Sequence, residues 1–255
     1  MSDVLRTSVE GGVATLLLNR PDKKNALNGE LVAALGEALA RAEADPAVRV
    51  IAVRGAGDDF CAGADLAELA RIQELGPEES LADAQRLGDL LVRMRRLAKP
   101  VVAVVQGRAL AGGAGLATAC DLVVAHEGAE LGYPEVHLGF VPAMVMAILR
   151  RKVGEGRAFE LVARGDRVGA AEAERLGLVN RVFAAATFEE DVAEYLSSLA
   201  SRPPSAVSLS KRLLYGMDGV AFEDSIARGA EVNAIARLTE ACREGVRRFL
   251  ERSRR

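Results

Sequence analysis

Five consecutive residues, Val101-Val-Ala-Val-Val105, carry no polar side chain and sit between Pro100 and Gly107. A run this short, β-branched and uniformly apolar fits a strand buried on both faces, which requires layers packed on either side of a sheet. The next segment, Ala109-Leu-Ala-Gly-Gly-Ala-Gly-Leu-Ala-Thr-Ala-Cys120, passes from glycines to good helix formers, so a helix is expected to start at Gly112 or Gly113. The first amides of such a helix have no partner within it, and the absent side chains at Gly112 and Gly113 let a ligand approach them. Two readings are open: the amides hold negative charge, or the small residues let the helix pack tightly on the sheet. The apolar run is short for a membrane span and is bounded by Arg108 and Asp121.

A glycine-rich turn between apolar strands also suggests dinucleotide binding, with Glu127 as the ribose acid. Against it, the residues from Gly113 read G-A-G-L-A-T and lack the third small residue of that fingerprint. Only seven residues separate Gly113 from Asp121, where a parallel crossover normally takes about a dozen or more.

The chain has 255 residues, half of them hydrophobic and 27% charged, so it can bury a full core. A net charge of −3 argues against nucleic acid as the main ligand. The N-terminal MSDVLRTSVEGG has neither an apolar core nor a cleavage pattern, so no secretory signal is expected and a cytoplasmic setting is. Cys61, Cys120 and Cys242 are widely spaced and read as reduced thiols; with two histidines in the chain, they argue against a zinc site.

In chain order, Val13 to Asn19 reads as a strand, and Asn28 as the N-cap of a helix carrying Leu31, Leu35 and Leu39. Lys23 and Lys24 are solvated or contact a phosphate. Val48 to Val53 reads as a buried strand, followed by the glycine-containing turn Gly55 to Asp65. Strand ends of this kind are where α/β proteins place ligands. If the amides of Ala64 and Gly112 point at one spot they form a two-donor oxyanion hole, each donor worth roughly 3 to 4 kcal/mol of barrier; otherwise these are two ordinary turns. Leu66 to Gly76 is mixed, and Gly76-Pro-Glu-Glu-Ser80 reads as a mobile connection before a long helix carrying Leu87, Leu90, Met94 and Leu97.

Helices are expected over Pro142 to Arg150, Glu155 to Arg164, Ala170 to Gly177 and Phe188 to Ala200, with a short strand from Leu178 to Val182. Met144 and Met146 belong to the core or line an acyl pocket. After Pro203-Pro204 the chain reads as helical to Arg255, with helices beginning near Ser205, Phe222 and Thr239. The composition therefore divides at about residue 195: a core of strands and helices over residues 1–195, then a helical region over 196–255 that packs on the core or on another subunit. Glu135 lies among Leu131, Tyr133, Val136 and Leu138, a setting in which burial would raise its pKa and suit it to proton transfer. Tyr133 and His137 flank it as structural residues or helpers.

Several of these stretches together resemble the enoyl-CoA hydratase/isomerase (crotonase) family: Asn19-Arg-Pro with Asn25-Ala-Leu27, Phe60-Cys-Ala-Gly-Ala-Asp65, Lys99-Pro-Val, Gly107 to Asp121, Pro134-Glu135 with Leu138 to Pro142, and Ala171-Glu-Ala to Val182. They occur in the family's order over nearly the whole chain. The resemblance implies an α/β fold, a crotonase-like spiral of ββα repeats with a helical C-terminal trimerisation region, assembled as a trimer or hexamer. It implies that Ala64 and Gly112 hold the thioester oxygen, that Glu135 is the catalytic acid and base, and that Lys24, Ala26, Ala64 to Ala67 (with Asp65 and Leu66 between them), Gly112 and Tyr133 contact an acyl-CoA substrate. Coenzyme A is then part of the substrate, with no separate cofactor or metal.

One departure stands out. Family hydratases often carry a second glutamate in the helix after the glycine cluster, and that place falls on Gly115. Hydration of a 2-enoyl-CoA is the leading expectation, 3-to-2 double-bond isomerisation the alternative, and a non-catalytic acyl-CoA-binding protein the reading from another class.

Overall fold

The computed structural model describes residues 3–253. Strands β1 (Leu5–Glu10) and β2 (Val13–Leu18) precede helix α1 (Gly29–Ala44) and strand β3 (Val50–Gly55). Helices α2 (Leu66–Ile72) and α3 (Pro77–Arg96) follow, then β4 (Val101–Val105), β5 (Arg108–Leu110), α4 (Gly112–Ala119), β6 (Leu122–His126) and β7 (Glu130–Gly132). The remainder comprises α5 (Ala143–Val153), α6 (Glu155–Arg164), β8 (Arg167–Gly169), α7 (Ala170–Leu176), β9 (Arg181–Phe183), α8 (Phe188–Ala200), α9 (Pro204–Gly216), α10 (Phe222–Leu238) and α11 (Glu240–Arg252).

The strands form a six-stranded sheet, ordered β1-β2-β3-β4-β6-β9, and a three-stranded sheet, β5-β7-β8. β4 and β6 are parallel neighbours in the large sheet, β5 and β7 parallel neighbours in the small one. The units β4-β5-α4 and β6-β7-α5 therefore each give one strand to each sheet and then a helix, which is one turn of a spiral. β3 starts the same path, since beyond it Cys61 bridges Ala109 where a further small-sheet strand would lie. The crossover from β4 to β6 is parallel and uses residues 106–121. Contrary to the expectation from the short helix, this stretch does complete a parallel crossover, because its path includes β5 as well as α4.

Alternation decides how the central strands are buried. Ile51, Val53, Val101, Ala103, Val105, Val123 and Ala125 face the main core, while Val50, Ala52, Val102, Val104 and Val124 face Phe188, Val192 and Leu196 of α8. Both faces are covered, so the strands read as unbroken apolar runs. β1 is an edge strand in which Leu5 alone is buried, which is why no apolar pattern marks it in the sequence.

Local chemistry sets the helix ends. The Asn28 side chain accepts from Leu31 N (2.9 Å), and Gly177 in the left-handed region closes α7. The expected mobile connection at Gly76 to Ser80 is instead the start of α3. Pro77 occupies its first turn, where the missing amide costs nothing, and Gly76 N donates to Glu79 Oε2 (3.2 Å). α2 also escaped the sequence reading, because it is only seven residues long. The described cysteines are unpaired, and burial pushes the Cys61 and Cys120 thiols up to about 12.

A buried ion pair fastens the C-terminal helices to the sheet. Lys211 on α9 donates to Asp121 Oδ2 (2.7 Å) and to the carbonyls of Met94 and Lys99 (both 3.0 Å). Asp121 also accepts from Val101 N and from the Tyr215 hydroxyl, both at 2.7 Å. Beyond this anchor, α10 and α11 leave large apolar side chains in the open: Phe222 is 74% exposed and Phe249 69%. No helix among the described residues is long and apolar enough to cross a membrane.

Replacing Lys211 with Met strands the Asp121 carboxylate in a nearly closed site, and breaking one side of such a pair costs about 3–5 kcal/mol. Chemical denaturation of Lys211→Met should show a loss of that size; a change under about 1 kcal/mol would mean the anchor is water-compensated.

Candidate functional site

Three backbone segments lie side by side at the site. Ala62 N donates to Lys24 O (2.9 Å), Leu27 N to Gly63 O (2.7 Å) and Asp65 N to Leu27 O (2.9 Å), so residues 24–27 run along 62–65 as a short parallel ladder. On the other side, Cys61 N donates to Arg108 O and Leu110 N to Cys61 O, both at 3.0 Å. In a ladder of this kind successive backbone groups point to opposite sides. Leu27 pairs with the neighbours of Ala64, which leaves the Ala64 amide itself turned away from the ladder.

The glycines allow the contact. A Cβ on Gly113 would collide with the Cys61 carbonyl, and one on Gly63 would sit 2.9 Å from the Ala111 Cβ and 3.6 Å from Gly112 N. Ala111 takes φ +49° at the N-cap of α4, an uncommon conformation for a residue with a side chain, and its amide donates to Gly132 O (2.9 Å). The result is that Ala64 and Gly112 line one cleft of about 420 Å³. Neither amide has an acceptor among the described residues. Leu27, Val32, Ile72, Leu87, Phe140 and Met144 make the cleft predominantly apolar. Met144 both lines the cleft and packs against the core.

Side chains fix the loop that carries Ala64. Arg20 Nη2 contacts Asp65 Oδ2 at 2.6 Å, and its Nη1 donates to Ala26 O. Asp65 Oδ1 accepts from Ala67 N (2.9 Å) and so caps α2. Asn25, fully buried with φ +55°, donates to Ala56 O (2.9 Å) and Asp59 O (2.7 Å) and accepts from Arg20 N (2.9 Å). Asp59 in turn is held by Arg108 at 2.7 Å through two nitrogens. Arg20 and Asp59 drew no notice in the sequence, since their partners lie far along the chain or depend on the fold. The Asp65 carboxyl is held below the usual range by the Arg20 hydrogen bond, against desolvation.

The expected contact residues divide. Lys24 is exposed, with φ +51°, beside Ala62, and Leu66 and Ala67 are exposed on the first turn of α2. Asp65 has its carboxylate committed to Arg20 and the α2 cap, so its side chain is structural. Ala26 is buried; its amide donates to Lys23 O (3.0 Å) and its carbonyl accepts from Arg20. Tyr133 is enclosed completely, and its hydroxyl contacts Thr118 Oγ1 at 3.3 Å. In this structure the Tyr133 side chain packs against Thr118 of α4. His137 is exposed.

Glu135 sits on a short 3-10 helix, Pro134–Leu138, beyond the end of β7 at Gly132, so no strand alternation aligns Tyr133, Glu135 and His137. The carboxylate is buried, at 9% exposure, and its Oε2 has no hydrogen-bond partner among the described residues. Desolvation raises its pKa above the ordinary 4.5, opposed in part by a hydrogen bond from its own backbone. Of the expected apolar neighbours, Leu131 and Tyr133 are buried, but Val136 and Leu138 face outward, Leu138 at 78% exposure. Glu135 is not itself on the wall of the cleft; its carbonyl accepts from Phe140 N (3.0 Å), and Phe140 is on that wall. On α4, a side chain at Gly115 would collide with Val145 of α5, so the place is filled by an isopropyl group.

An α/β spiral that turns two unpaired amides into an apolar cleft is an architecture suited to holding an anionic oxygen. Comparison with known proteins is consistent in kind. The enoyl-CoA hydratase/isomerase family profile matches residues 8–255. A Thermus thermophilus relative is 44% identical over 95% of this chain and 96% of its own, and a crotonyl-CoA hydratase of Syntrophomonas wolfei is 35% identical over 95% and 93%. A crystal structure of an enoyl-CoA hydratase from Mycobacterium smegmatis superposes with a TM-score of 0.93 at 34% identity, covering 98% of this chain and 97% of that one. The chain belongs to the enoyl-CoA hydratase/isomerase family, has the crotonase-like fold, and is an enzyme of that family.

The raised pKa of Glu135 has a signed consequence. The folded state holds the proton more tightly than the unfolded chain, so this group's contribution is fully favourable below about 4.5 and is lost as pH rises through the folded value. Glu135→Gln should therefore melt at a higher temperature than the wild type at pH 8, with the gain shrinking as pH falls toward 4. Equal melting temperatures at pH 8 would contradict the burial argument.

Proposed function

We propose that the protein hydrates the 2,3 double bond of a 2-enoyl-CoA, using Ala64 and Gly112 as oxyanion donors and Glu135 as the one acid and base. The observation that carries the reading is the pair of unpaired amides in one apolar cleft. The thioester oxygen accepts from both amides. Glu135 accepts a proton from water as its oxygen bonds to C3, the π electrons move onto the thioester oxygen as an enolate, and Glu135 then returns the proton to C2. A buried carboxylate with a raised pKa suits both transfers. Lys24 and the first turn of α2 contact the coenzyme A part of the substrate, and no further cofactor or metal is required.

The Gly115–Val145 packing favours a second reading, 3-to-2 enoyl-CoA isomerisation, because one carboxylate moving a proton from the α- to the γ-carbon needs no second acid to hold water. The exposed Phe222, Ile226, Leu238 and Phe249 of the helical region from residue 196 support self-association as a trimer or hexamer. The proposed setting is the cytoplasm.

Wild-type protein with crotonyl-CoA should consume the conjugated enoyl absorbance, and Glu135→Gln should lower that rate by about 10²–10⁴-fold. Gain of this absorbance from a 3-enoyl-CoA, with crotonyl-CoA untouched, would select the isomerase. Arg20→Lys keeps the charge but loses the two-pronged hold on Ala26 and Asp65. Its kcat should fall by up to about a hundredfold through displacement of the Ala64 amide; an unchanged kcat would remove Arg20 from the positioning role.

A further inference from the structure

Helices α2 and α3 build part of the wall of this cleft, and the charges they place there are paired with one another. Arg86 is the one cation lining the cleft among the described residues, and Glu68 and Asp83 are the anions. Asp83 Oδ1 is held at 2.9 Å by Arg71 and also by Arg86, while Arg71 contacts Glu68 Oε2 at 2.9 Å. The four charges cancel within one network. Both guanidiniums are paired, and the lining itself carries two carboxylates against one cation. Between the network and the amides the surface is aliphatic and aromatic: Val32, Leu69, Ile72, Leu87, Phe140 and Met144.

We infer that this cleft selects uncharged aliphatic acyl groups and rejects acyl groups that end in a carboxylate. The inference rests on the acyl-CoA reading of the site and deepens it by naming the acyl class. A methyl-ended chain gains from contact with the apolar wall. An ω-carboxylate of the same length must shed water, approach Glu68 and Asp83, and find its only local cations paired. Asp83 is the specificity-determining residue, because it holds both arginines.

The test uses saturated hexanoyl-CoA and adipyl-CoA, which share a six-carbon acyl chain and differ by the terminal carboxylate, with binding followed calorimetrically. Wild-type protein should bind hexanoyl-CoA about a hundredfold or more tightly than adipyl-CoA, since an unpaired carboxylate is costly to desolvate. Asp83→Asn frees Arg86, while Arg71 stays with Glu68, and should narrow that ratio at least about tenfold, equivalent to 1.4 kcal/mol. Adipyl-CoA binding as tightly as hexanoyl-CoA in the wild type would overturn the inference, and needs no variant to fold. A ratio unmoved in a folded Asp83→Asn would overturn the role of the charge network. Hydration of 2-hexenoyl-CoA, assayed in parallel, keeps the two claims apart: a preference for hexanoyl-CoA without hydration sinks the hydratase reading alone, whereas binding of neither thioester sinks both.

Discussion

The site depends on a backbone register. Residues 24–27 pair with 62–65, and Cys61 pairs with the β5 strand, so the segment between β3 and α2 is clamped from two sides. No side chain of that segment needs to touch a ligand for the geometry to hold. The register alone turns the Ala64 amide out of the ladder and brings it to the mouth of α4. The amides of Leu27, Cys61, Ala62 and Asp65 are satisfied by the clamp, whereas those of Ala64 and Gly112 have no acceptor among the described residues.

Around this register the chain places its polar side chains as fasteners. Arg20, Asn25, Asp59 and Asp65 are buried or half-buried, and each is committed to backbone or to another of the set. Their cost of desolvation is offset by several hydrogen bonds apiece, which ties the loop to one conformation. Glu135 is the exception: it is buried with a carboxylate oxygen that has no partner among the described residues, and its charge is destabilising to the fold. A group kept in so unfavourable a place is a functional-site candidate on physical grounds. The Lys211–Asp121 anchor works at longer range, holding the α9 helix against the start of the central strand β4 at Val101.

Much of this was legible in the residues. The valine run at 101–105 announced a doubly covered strand, the Gly112 start of α4 followed from glycines giving way to helix formers, and Asn28 and Gly177 marked helix ends through their own hydrogen bonding and backbone freedom. What failed to show depends on partners distant in sequence. β1 is an edge strand with one buried residue, α2 is held by a cap and an ion pair to Arg20 more than by periodicity, and the crossover to β6 gains length from a three-residue strand with no pattern of its own. Glu135 was visible as a carboxylate in an apolar run, but two of its expected neighbours point outward because β7 stops at Gly132 and Pro134 starts a 3-10 turn. Ala64 and Gly112, 48 residues apart in the chain, line one cleft through close approach of glycine backbones, which a sequence permits but does not state.

The most direct measurement is the carbonyl stretch of an acyl-CoA labelled with carbon-13 at the thioester, taken by difference infrared spectroscopy on the Glu135→Gln protein so that the ligand stays intact. Donation from Ala64 and Gly112 together predicts a stretch well below that of the same thioester in water, with the carbonyl more polarised than solvent makes it. A stretch at the aqueous value or above it would mean that the two amides do not converge on the oxygen, and the proposed catalytic geometry would be wrong.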